Sequence, residues 1–92
     1  MDTPTEGRIV HYVLAPYRTL PGTSPSDSES CHRAAIVTRA FPGSPDNKVN
    51  LTVFPDGQND GYSAGQLLWK GSVPQDEDGR EFGTWHYPER VS

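Results

Sequence analysis

The sequence predicts an all-β fold: a small five-stranded antiparallel barrel of SH3-like or OB-like type, with a two-sheet sandwich as the alternative. Three observations lead there. Nine Pro and nine Gly interrupt the 92 residues so often that no uninterrupted helical period of about 12 residues survives. The segments between them alternate with period two and are rich in β-branched and aromatic residues. Only 33% of the residues are hydrophobic. A core this thin cannot protect open sheet edges, and closure removes them.

The elements follow in order. "RIVHYVL" (8–14) is the first strand, with Ile9, His11 and Val13 on one face and Val10, Tyr12 and Leu14 on the other. Both faces are largely apolar, which predicts a central strand. "LPGTSPSDSES" (20–30) is a Ser/Pro/Gly-rich loop. "HRAAIVTRAF" (32–41) is the second strand, with Ala35, Val37, Arg39 and Phe41 on one face. "PGSPDN" (42–47) is a turn. "KVNLTVF" (48–54) alternates most cleanly, with Val49, Leu51 and Val53 opposite Asn50, Thr52 and Phe54. "PDGQNDGYSAG" (55–65) is a second long loop, and "QLLWKGSV" (66–73) a fourth strand in which Gly71 predicts a bulge. The acidic run "QDEDGRE" (75–81) reads as a solvated loop. "GTWHY" (83–87) is the fifth strand, ended by Pro88. The chain, 1–92, is thus one small β domain, with 1–6 and 20–31 expected to be mobile.

Charge and composition exclude some functions. A formal net charge of -4 argues against a general nucleic-acid binder, which needs a basic face. The N-terminus carries no apolar export segment, and no stretch approaches the roughly 18 apolar residues of a membrane span. Cys31 is the only cysteine, so no disulfide forms within the chain, and a cytoplasmic, reducing setting is expected.

The large polar and aromatic side chains carry the candidate chemistry. Aromatic planes stack on bases and Arg forks onto phosphates, so Trp69, Trp85, His86, Tyr87 and Arg90, with Arg39 and Asn50 on neighbouring strands, compose a candidate wall for a small nucleotide-type ligand. Arg39 stands out, because a charge on an apolar face must be paired or used. As an alternative, His11 and His86 could serve as acid and base in metal-independent phosphodiester cleavage. No metal site and no cofactor are expected. A metal needs three or four ligands, His11, His32 and His86 are the only histidines, and the neighbours Cys31 and His32 would point to opposite faces of a strand. "DGQNDG" (56–61) lacks the bidentate Glu of a calcium loop and reads as a plain turn.

The series "GRIVHY", "HRAAIVTRAF", "VNLTVFPDGQNDG", a Trp followed by "GSV", and "GTWHYPERV" resembles a family of small proteins encoded by tailed bacteriophages and their prophages. The likeness covers about 70% of the chain, leaving out the loop over 15–31 and the acidic loop. Here Tyr87 replaces the second Trp of the family's closing motif, and the first loop is short. The resemblance implies a setting, the cytoplasm of an infected bacterial host. In that setting many small accessory proteins bind host defence components, which agrees with the aromatic-and-Arg wall and the small core: the expected role is a homo-oligomer that binds and sequesters a nucleotide-type immune signal. A protein–protein adaptor or minor virion protein is the remaining alternative.

Overall fold

The computed structural model describes residues 3–15, 32–79 and 81–88. The five expected strands form: β1 (Ile9–Val13), β2 (His32–Ala40), β3 (Val49–Val53), β4 (Leu68–Val73) and β5 (Trp85–His86). There is no α-helix among the described residues, only 3-10 turns at Pro45–Asn47 and Gly57–Asp60. Consequently no described helix is long and apolar enough to cross a membrane. The loop over 20–31 and most of the terminal "PERV" lie outside the described residues.

The strands make one antiparallel sheet in the order β4-β3-β2-β1-β5, curled into a half-barrel. β1 to β4 run as a meander, and the last strand returns to lie beside the first. An OB-type barrel is a Greek key, so this order favours the SH3-like alternative. At the seam the backbone leaving β4 meets β5 in a short parallel bridge, Gln75 to Trp85. Asp76 N donates to Trp85 O at 2.8 Å and Trp85 N to Pro74 O at 2.9 Å. Those bonds cover part of the edge that a two-residue strand would otherwise leave bare.

Alternation fixes the two faces. Val10, Tyr12, Ala35, Val37, Val49, Leu51, Val53, Val73 and Trp85 are buried together on the inner face. The opposite positions are outward. There the register sets Trp69, Thr52, Ile36 and Ile9 in one row across four strands.

Two bulges bend the sheet, and both fall beside Asn50. In β2 the register shifts between Val37 and Arg39, and in β4 an extra residue opposes Asn50. The second is the bulge that Gly71 predicts. Ser72 there has a φ of 52°, and its N–H donates to Asn50 Oδ1 at 2.9 Å. The first bulge reverses the expected orientation of Arg39. Ala40, not Arg39, packs against the core, while Arg39 is exposed with its guanidinium 5.2 Å from the Phe41 ring centroid. An inserted residue shifts the parity of everything after it, so the apparent charge in an apolar face vanishes.

The loops are tied down by polar contacts. Residues 3–6, expected to be a mobile tail, include buried Pro4; Thr3 Oγ1 donates to Asn47 Oδ1 and Glu6 Oε2 accepts from Ala40 N. The 55–65 loop is anchored by Asp60, whose carboxylate takes a two-pronged bond from Arg33 at 2.7 Å on each arm. It also accepts from Asp56 N. The bonds from Arg33 hold the Asp60 carboxyl below the usual carboxylate range, against the opposing effect of burial, and the Asp56 amide adds to them. We therefore expect Asp60→Asn to cost about 2 kcal/mol at pH 7 in a denaturant melt. The folded pKa lies below the unfolded value of about 3.9. The wild-type advantage is therefore complete above about pH 5 and fades as pH falls through the folded value. A difference between the two proteins that grows on acidification would contradict this role.

Candidate functional site: a three-histidine cluster

β1 carries His11 on its outward face, between Ile9 and Val13. β5 places His86 directly opposite His11. Paired residues on neighbouring strands point to the same side of a sheet. On the other flank of β1, β2 begins at His32, opposite Val13. Three adjacent strands therefore deliver the chain's three histidines to one patch of the outer face. Their ring centroids are 4.6 Å apart for His32–His86, 5.5 Å for His11–His86 and 6.1 Å for His11–His32. None of the three pairs is stacked, since the rings meet at 60° to 88°.

The patch is sheltered for an outer face. His86 is 1% exposed and Val13, on the same side, is fully buried. Part of the cover is the acidic run: Glu77, Asp78 and Glu81 are exposed, as its composition predicts, but Gly79 is buried against the rings. Its turn is set by Gly79 N donating to Asp76 O at 2.9 Å. The Asp76 carboxylate accepts from the amides of Asp78 and Glu81. The turn brings Gly79, itself buried, down onto the cluster, where His32 Nε2 lies 3.1 Å from Gly79 O. Glu77 Oε2 accepts from Tyr87 N, next to His86. The segment that lies against His32 and His86 is thus itself acidic in sequence.

The one nitrogen that each ring offers lies within 4.8 Å of the other two. In a tetrahedral zinc site with Zn–N near 2.0–2.1 Å, ligand nitrogens stand about 3.3 Å apart. The expectation of no metal site weighed His32 with its neighbour Cys31, whereas the fold sets His32 beside histidines of two other strands. His32 was the residue sequence reasoning set aside. Its signal was parity: all three histidines fall at strand positions that share the outer face once β1 sits between β2 and β5.

The proposed nucleotide wall is dispersed. Trp85 is fully buried, with Nε1 donating to Asn47 O at 3.0 Å and its ring edge-on to Tyr87 at 5.2 Å. Tyr87 packs against the same core, with the Arg8 guanidinium 5.4 Å from its ring centroid. Trp69 is 67% exposed and outward-facing on β4, at the far end of the sheet order from β5. Asn50 is engaged in the β4 bulge, Arg39 is exposed beside Phe41, and Arg90 lies outside the described residues. Of the residues proposed from sequence, His11 and His86 meet on the outer face, where His32 joins them, while Trp85 and Tyr87 meet each other at the core.

Fold and site together describe a small half-barrel with a three-imidazole cluster under an acidic loop. No protein-family model, curated protein or solved structure significantly matches the chain.

Proposed function

We propose that this protein binds a divalent transition-metal ion, zinc foremost, through His11, His32 and His86. The observation that carries this is the convergence of three imidazole nitrogens within 4.8 Å on three adjacent strands. Neutral imidazole suits zinc, copper, iron and nickel, and zinc accepts the tetrahedral geometry with least restriction. Three protein ligands leave a fourth position for water or an oxygen of a bound molecule, the arrangement of zinc sites that do chemistry. Histidine reactivity here is therefore read as metal ligation in preference to metal-independent acid–base catalysis.

The test is a titration of metal-free protein with zinc by calorimetry and with cobalt by visible absorption. One equivalent should bind, and cobalt should show the intense ligand-field bands of a tetrahedral site. Neither metal binding at one equivalent, or equal binding by His86→Ala, would remove the proposal.

Sequestration of a nucleotide-type signal in an infected host stays a second proposal, supported by the phage resemblance. In this structure it would have to use the open metal position, where a phosphate oxygen is a suitable ligand. Homo-oligomerisation has one supporting observation of its own: Ile9 and Trp69 expose 52% and 67% of their surface on the outer row.

A further inference from the structure

We infer that Gly79 is a positioning residue for this site, and that its carbonyl makes His32 offer Nδ1, not Nε2, to the ion. The inference rests on the proposed metal reading. A carbonyl oxygen can only accept, so the 3.1 Å contact between His32 Nε2 and Gly79 O requires the proton to sit on Nε2. In the neutral ring the lone pair is then on Nδ1. Histidines that bind metals commonly donate their other ring N–H to a carboxylate or backbone carbonyl, which fixes tautomer and ring orientation. Gly79 supplies that carbonyl.

The position admits no other residue without displacement. Gly79 has a φ of +66°, a conformation that side chains rarely adopt. A Cβ there would lie 3.1 Å from His86 Cε1 and 3.2 Å from His32 Cε1. It would press on two of the three rings at once. The turn that presents the carbonyl depends in sequence on Asp76, which accepts from Asp78, Gly79 and Glu81. The acidic loop thus sets the ligand geometry as well as the local charge.

Long-range proton–nitrogen correlation on the ¹⁵N-labelled full chain tests this directly. Before zinc is added, His32 should show the Nε2–H tautomer; an Nδ1–H tautomer overturns the inference, whatever the metal does. With one equivalent of zinc chloride, the zinc-induced nitrogen shift should fall on His32 Nδ1 while the Nε2 proton persists. A shift on Nε2 with loss of that proton overturns the role of Gly79 and leaves the metal site standing. No zinc response at any of the three histidines overturns both. Gly79→Ala should weaken zinc binding about 10- to 100-fold. Unchanged affinity in that variant counts against the inference, and the spectra of the unsubstituted chain decide the matter if it does not fold.

Discussion

Zinc at a free concentration 100 times its Kd should raise the melting temperature by about 10–20 °C, and His86→Ala should abolish the rise. Ligand at that concentration stabilises the native state by about 2.7 kcal/mol. A domain of this size shifts by about 4–8 °C per kcal/mol. The effect should be a property of folding as well as of binding, because the three ligands come from three strands. His86 sits on β5, which is two residues long and completes the sheet beside β1. An ion shared by β2, β1 and β5 would pin that short strand, as metals reinforce other small cores. His86→Ala should lower zinc affinity by at least about 100-fold, more than the loss of an outer-shell partner. Differential scanning fluorimetry with and without chelator reads both effects. A shift of the same size in His86→Ala would mean that zinc acts elsewhere on the chain.

Trp85→Ala should destabilise the fold by about 3–5 kcal/mol, the range for truncating a buried Trp. Total stability of a domain is only about 5–15 kcal/mol. Trp85 is fully buried in the core cluster, its indole N–H bonds Asn47 O, and its backbone holds the seam through Pro74 and Asp76. Trp69→Ala should cost less than about 0.5 kcal/mol, as expected for an exposed side chain. Urea unfolding of both variants checks the contrast. Fluorescence adds an independent reading: in Trp69→Phe the remaining emission, from Trp85, should be blue-shifted and resist acrylamide. An accessible Trp85 would return it to the role of a stacking wall.

Much of the fold was legible in the residues, because strand alternation is a local property. Val49, Leu51 and Val53 show their burial in sequence, and each is fully buried. The bulge near Gly71 was legible for the same reason. Arg39 was misread because a one-residue insertion in β2 is invisible until its partner strand is known. The site was legible in kind and not in place. His11 and His86 were candidates, but the aromatic residues beside them drew attention to a wall whose members turn out to lie on opposite faces.

By itself the sequence determined an all-β chain with five strands in known places, two distinct faces on each strand and polar turns and loops between them. Those follow from interactions between residues near one another along the chain. Only the tertiary structure decided that β5 returns to β1, that two bulges flank Asn50, and that the acidic loop folds back so that Gly79 lies against His32 and His86. Such pairings join residues far apart in the chain, as His11 and His86 are. Nothing local in either segment specifies its partner; the closure of the sheet around a small core does.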